Sequence, residues 1–210
     1  MSRESHGRVI DKRGRLAAAA RTSPLVLELG CGPRKRHPSA IGVDVRDFDE
    51  VDVVGDVYDV LACLPDAAVD AVYSYHFVEH LSDLARFVGA LRRIVKPGGH
   101  VTTVAPHFSN PYYYSDYTHR TVFGLYSFSY LSEDHLFRRR VPRYEEATGF
   151  DLVSVRLGFK AAPPFYLRHV LSLAVGWLVN VTTLTQEIYE RSFCYLFPCY
   201  EVEYVLQRRD

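Results

Sequence analysis

Two groups of residues in this sequence are of types and spacings that could do chemistry. The first is Leu25-Val26-Leu27-Glu28-Leu29-Gly30-Cys31-Gly32-Pro33, an apolar run that enters a glycine turn. Gly30 and Gly32 allow backbone conformations and a close ligand approach that a side chain would block. They stand at the carboxyl end of an expected strand, where open α/β sheets bind ligands. A glycine after a strand is also often only a turn, but the endings of the next two apolar runs add weight. Ile41-Gly42-Val43-Asp44 closes with a carboxylate, a group able to accept two hydrogen bonds from a ribose diol. Val54-Gly55-Asp56 ends a third run, where a short polar side chain could meet an adenine amino group. A strand-end aspartate is equally a common turn former. GCGPRKRHP lacks the third glycine and the following helix of a dinucleotide site, so a nucleoside without phosphates fits better than a pyrophosphate.

The second group is histidine-rich. His76, His80, His107 and His119, with Asp116, fall at or just after the ends of two later strand-like runs. Histidine titrates near neutrality and is the natural base for a hydroxyl acceptor. His107 and His119 are the favoured bases, with His76 and Asp116 as further catalytic candidates. The alternative is that these side chains cap loops or pair with Asp116 and Glu79. His76 and His80 are four apart and could share a helix face, so a metal set of His76, His80, His107 and Asp116 is conceivable. His80 in its Glu-His pair is more economically the residue that fixes a helix start, and the chain is expected to hold no metal. Tyr112, Tyr113, Tyr114, Tyr117, Phe123, Tyr126 and Phe128 could wall a substrate by stacking, or be ordinary core.

Positioning these groups requires a frame, and the first half of the chain alternates short apolar runs with helical or turn segments, the pattern of a parallel α/β sheet. Strands are expected at Leu25–Gly30, Ala40–Val45, Val51–Asp56, Asp70–Tyr75, His100–Ala105, Asp151–Leu157 and Glu201–Gln207, seven in all. Leu81, Leu84, Phe87, Val88, Leu91 and Val95 recur at helical spacing, which predicts a helix over Glu79–Lys96 that stops at Pro97-Gly98-Gly99. A further helix is expected around Pro142–Thr148. Residues 108–140 and 160–198 lie outside the alternation and are expected to form a substrate-side lid on a single domain, 1–210. Within the second, Leu171–Leu184 carries no charge, yet it is shorter than the roughly 20 apolar residues a bilayer crossing needs. It reads as a buried helix, a homodimer face or a lid rather than a membrane span.

Composition excludes some partners. Lys plus Arg equals Asp plus Glu at 25 each, so no field of one sign draws the chain onto nucleic acid or an acidic membrane. The four cysteines form no CxxC pair, and a disulfide at Cys31 would obstruct the glycine turn, which points to reduced thiols and a cytoplasmic setting. No apolar run comes after MSRESHGRVIDKRGR, so a flexible or helical lead-in is expected rather than a signal peptide.

Taken together, ELGCG at Glu28–Gly32, GVD at Gly42–Asp44, GD at Gly55–Asp56, DAVYSYHFVEHL at Asp70–Leu81 and LRRIVKPGGHVTTVAPH at Leu91–His107 resemble the class I S-adenosylmethionine-dependent methyltransferases. The resemblance is to their small type 11 branch, often associated with sugar, polysaccharide or natural-product methylation. It implies a Rossmann-like three-layer α/β/α fold with a seven-stranded, mostly parallel sheet of order 3-2-1-4-5-7-6, strand 7 antiparallel. It implies S-adenosylmethionine as cofactor, with Glu28, Gly30 and Gly32 on the methionine portion and Asp44 on the ribose. Asp56 and Val57 would flank the adenine, and Tyr75 and His76 would face the sulfonium. Gly32 to Gly42 is too short for the usual full first helix, and RKRHPSA is expected to replace it with a turn. The expected activity is methylation of a small molecule, with oxygen as the favoured acceptor atom. The alternatives are a fold relative that uses the sulfonium for cyclisation or elimination, and a silent cofactor-binding subunit that docks a partner through Leu171–Leu184.

Overall fold

The computed structural model describes residues 9–19, 24–142, 149–161 and 164–210. The run Val26–Leu29 forms β2 at the middle of the sheet, and its apolar side chains are buried because helices and loops cover both faces. Ile41–Asp44 (β3) and Val69–Tyr75 (β5) pair with it in parallel on either side, bringing Glu28 opposite Gly42 and Tyr73. Val53–Val54 (β4) continues the parallel series beyond β3, and Val95–Pro106 (β6) continues it beyond β5. The far side is antiparallel: Glu201–Arg208 (β9) sits between β6 and Phe150–Gly158 (β8) and runs against both.

Two short strands correct the expected count. Ile10–Asp11 (β1) pairs antiparallel with β4 at one edge, and Glu133–Asp134 (β7) pairs parallel with β8 at the other. Among the described residues the sheet therefore has nine strands, in the order β1-β4-β3-β2-β5-β6-β9-β8-β7, not seven. Both additions are two residues long, too short to leave an alternating pattern in the sequence. β1 also shows that part of the supposed lead-in is sheet edge.

Helices pack against this sheet by the faces their spacing dictates. Val57–Ala62 (α1) is capped by Asp56, whose side chain accepts from Tyr58 N. Leu84–Ile94 (α2) buries Phe87, Val88, Leu91 and Ile94. Its start is later than the expected Glu79: Val78–His80 makes a separate 3₁₀ turn, and Asp83, not His80, caps α2 by accepting from Arg86 N at 2.8 Å. Its end is earlier than Lys96, because Val95 already pairs with Val69 in the sheet.

The second half divides in a way the composition did not show. Phe123, Leu125, Phe128 and Phe137 are buried in the core, so this part of 108–140 is structural, while Tyr112, Tyr114 and Tyr117 are exposed. The uncharged run Leu171–Leu184 is not one buried helix. Tyr166–Val179 (α3) and Thr183–Ser192 (α4) are separated at Asn180, whose side chain donates to Gly176 O and Leu157 O and accepts from Leu157 N. Of α3 only Val179 is buried, and Leu167, Val170, Leu171 and Trp177 face outward. No helix among the described residues is long and apolar enough to cross a membrane. All four cysteines are free. The helix expected around Pro142–Thr148 falls on 143–148, outside the described residues.

Candidate active site

A cleft of about 600 Å³ opens where β2, β3, β4 and β5 end, within the size range of small-molecule sites. Gly30, at φ +65°, turns the chain out of β2 toward it, and a Cβ at this position would meet Phe77 Cβ at 2.6 Å. Only glycine fits this close approach. Asp44 lines the cleft from the end of β3, its two oxygens already accepting from Gly32 N at 2.9 Å and Arg46 N at 2.8 Å. Each carboxylate oxygen has a second lone pair, so Asp44 is held in place yet able to accept from a ligand. Asp56 and Val57 line the next stretch, with Tyr58 and Phe77 as apolar walls. Asp44 and Asp56 give the cleft two carboxylate acceptors beside Arg46 and His76, a lining that suits the hydroxyl and amino groups of a nucleoside.

At its far wall the cleft meets a smaller pocket of about 180 Å³, and the two share His76 and His80. Glu79, Asn110, Tyr113, Asp116, His119 and Tyr200 are among the other residues of the smaller pocket's wall. His76 follows β5 at φ +53°, a conformation that costs a non-glycine residue energy and persists only when the surroundings impose it. Here the constraints are visible: its N–H donates to Val104 O, Nε2 lies 3.1 Å from Glu201 Oε2, and Nδ1 lies 3.6 Å from Glu79 Oε1. These hydrogen bonds, that of Glu201 first, push the His76 pKa up to about 9 against the effect of burial. Glu201 in turn is lowered to about 2, because bonds from His76 and Lys160 outweigh its burial. His76 is therefore an imidazolium at neutral pH and a hydrogen-bond donor, not a base.

The chain has counterparts among known proteins. Residues 27–103 match the type 11 family model described as a methyltransferase domain. This stretch, a little over a third of the chain, is similar to a methyltransferase domain. The fold of the chain is shared with solved structures at low sequence identity. An S-adenosylmethionine-dependent methyltransferase of Archaeoglobus fulgidus is 18% identical, with a TM-score of 0.58 over 92% of this chain and 90% of its own. The YcgJ protein of Bacillus subtilis is 14% identical, with a TM-score of 0.52 over 93% and 98%. Phosphoethanolamine N-methyltransferase 2 of Haemonchus contortus, solved with S-adenosyl-L-methionine, is 14% identical, with a TM-score of 0.52 over 94% of this chain and 52% of its own. No curated protein matches the sequence.

The fold brings together Gly30, Asp44, Asp56, Val57 and His76 around the cleft and His76, Asp116 and His119 around the pocket. Other expected site residues lie elsewhere. Glu28 is 2% exposed, and its two oxygens accept from Arg36 N and His37 N. Tyr75 hydrogen-bonds His37 Nε2 at 2.9 Å, and His37 stacks on Tyr73. Glu28 and Tyr75 thus anchor the 34–40 loop in the position where a first helix was expected to be missing. Gly32 borders the turn, with open space where a Cβ would stand. Cys31 beside it is pushed up to about 12, mainly by burial, so it is a protonated thiol there.

His107 does not face the cleft. It is fully buried, Nδ1 accepts from Ser109 N, and Nε2 therefore carries the proton toward Glu190 at 3.1 Å. Both ring nitrogens are committed to structure. The metal set of His76, His80, His107 and Asp116 is accordingly not assembled. A larger hollow of about 820 Å³ near Glu190, lined by Phe108, Tyr126 and Arg138, shares no lining residue with the cleft or the pocket. Functional candidates absent from the sequence-based set are Glu201 and Tyr200, which arrive on the last strand and its approach. Nothing local in CYEVEYV marks them.

Proposed function

We propose that this chain is an S-adenosylmethionine-dependent methyltransferase acting on a small molecule, with the cofactor in the larger cleft and the acceptor in the smaller pocket. The observation that carries the reading is the shared wall: a cleft suited to a nucleoside opens, past His76 and His80, into a polar pocket large enough for about one ring-sized group. Bound there, the cofactor supplies an electrophilic methyl group. The chain's own part is to hold acceptor and cofactor in line, which can lower a barrier by up to about 7–11 kcal/mol for well-oriented pairs. His119, whose side chain is 11% exposed and lines the pocket, is the remaining candidate base for a hydroxyl acceptor. Tyr113, Asn110 and Tyr200 give the wall hydrogen-bonding groups that suit a sugar, polysaccharide precursor or polar natural product. Four unpaired cysteines support a reducing compartment such as the cytoplasm.

The test is calorimetry with S-adenosylhomocysteine. Micromolar binding, about −8 kcal/mol, is expected; if it does not bind while NAD does, the assignment fails.

A further inference from the structure

The wall between cleft and pocket gathers hydrogen-bond acceptors that the protein does not satisfy. Glu79 lines the pocket with its side chain only 1% exposed; Oε1 faces His76, and Oε2 has no hydrogen-bond partner. A buried carboxylate oxygen without a partner is costly, so it points to a group that the chain itself does not supply.

Two histidines are set to provide the rest of a ligand shell. His119 Nδ1 lies 2.9 Å from Tyr113 O, and a carbonyl only accepts, so Nδ1 bears the proton and Nε2 offers a bare lone pair. Thr118 Oγ1 donates its one proton to Asp116 Oδ1 at 2.6 Å, so its contact with His80 Nδ1 at 3.0 Å must be donated by the ring. His80 Nε2 is therefore bare as well. Ring N–H bonds of this kind, to a carbonyl or a hydroxyl, are what orient histidine ligands in metal sites. Ligand atoms of Glu79, His80 and His119 all lie within 4.8 Å of one another. Asp116 Oδ2 stands 3.6 Å from His119 Nε2, a further acceptor facing an acceptor. A cation between them resolves both the orphaned oxygen and these facing lone pairs.

We propose that Glu79, His80 and His119 bind one divalent transition-metal ion of the zinc, cobalt or manganese class. Two imidazoles and one carboxylate suit such ions better than magnesium or calcium, which prefer all-oxygen shells, and three protein ligands leave positions open. The ion would sit on the wall shared by the two cavities, where an open position could take an acceptor oxygen and favour its deprotonated form. That use rests on the methyl-transfer reading and takes the place of His119 acting as base, since the ion occupies its Nε2 lone pair; the binding of the ion does not rest on that reading.

The experiment titrates zinc into the full chain by calorimetry and cobalt by its visible absorption, alongside S-adenosylhomocysteine in the same preparations. One ion per chain is expected, with His119→Ala and Glu79→Gln each weakening it by more than about tenfold, and with no change for His100→Ala, an exposed histidine on β6. Because substitution of the buried Glu79 puts folding at risk, His119→Ala at the pocket wall is decisive. No saturable ion binding, or equal binding by wild type and His119→Ala, overturns the site. Zinc binding without S-adenosylhomocysteine binding upholds the site and removes its role in methyl transfer; the reverse pattern overturns the site alone.

Discussion

At the scale of single residues, the cleft turns on side chains that are held by backbone amides before any ligand arrives. Asp44 is the clearest case, since Gly32 N and Arg46 N fix the carboxylate that faces the cleft. Asp44→Ala is expected to weaken S-adenosylhomocysteine binding by about 1.5–3 kcal/mol, the loss of hydrogen bonds to a charged group. Calorimetry on a variant shown to be folded by circular dichroism checks it; an unchanged dissociation constant would assign the ribose to another residue. The two histidines once equivalent in sequence now separate. His107→Ala removes a buried ring bonded to Glu190 and Ser109, so it should cost about 1–3 kcal/mol of stability, or roughly 2–4 °C of melting temperature per kcal/mol. His119→Ala should leave the melting temperature nearly unchanged and lower single-turnover methyl transfer about 10²-fold or more. A His107→Ala protein of wild-type stability would show that its buried pairing contributes nothing. Position along the chain could not distinguish them, because both come after strand ends. What separates them is that His107 bridges to Phe123 and donates its amide to Tyr200 O, turning its ring into the core, and neither partner is near it in sequence.

Among the elements, the 34–40 loop shows how the missing helix is replaced. Asp52 is fully buried and accepts from Lys35 Nζ at 2.7 Å, Arg15 at 3.0 Å, Arg13 at 3.0 Å and Gly42 N at 2.9 Å. Lys35 and Arg15 also reach Ala40 O, so one carboxylate ties the loop to β3 and to the segment after β1. Burial alone would raise the Asp52 pKa; the Lys35 and Gly42 hydrogen bonds with the charges of Lys35 and Arg15 outweigh it and leave the group below its ordinary 3.8. With the folded value depressed, this contribution to stability is complete above the unfolded pKa and is lost as pH falls through the folded one. Denaturant titrations from pH 7 down past pH 4 should therefore show wild type losing stability relative to Asp52→Asn. At pH 7 the variant should already be about 3 kcal/mol less stable, having left Lys35 buried without its counter-ion. Parallel pH profiles for the two proteins would remove Asp52 from the acid response. The glycine turn, the strand-end carboxylates and the period of α2 were legible because they are local patterns. Asp52 was not, since Arg13 and Lys35 lie 39 and 17 residues upstream of it and each is an ordinary surface residue type when read alone.

Across the whole molecule, β9 is the element on which the rest depends. It pairs with β6 from Pro106 to His100 and with β8 from Phe150 to Gly158, and its Tyr204 is fully buried with its hydroxyl donating to Gly124 O. A chain stopped after Tyr200 should lose cooperative unfolding and bind a hydrophobic dye, because β6 and β8 would face each other across an unfilled slot; a sharp thermal transition in that shortened chain would refute this. The antiparallel insertion was expected from the resemblance, yet its link to the cleft was not, as that link is the single contact between Glu201 and His76. The same arrangement constrains how the protein is born. Synthesis delivers the amino-terminal strands first, so β2, β3 and β5 can assemble on the ribosome while the slot beside β6 stands open. His76 then lacks Glu201, and the wall between the two cavities is unfinished. Nascent chains stalled before residue 201 should be cut readily by protease near the β6 edge and gain protection only once that strand emerges, which makes completion of the site wait for β9.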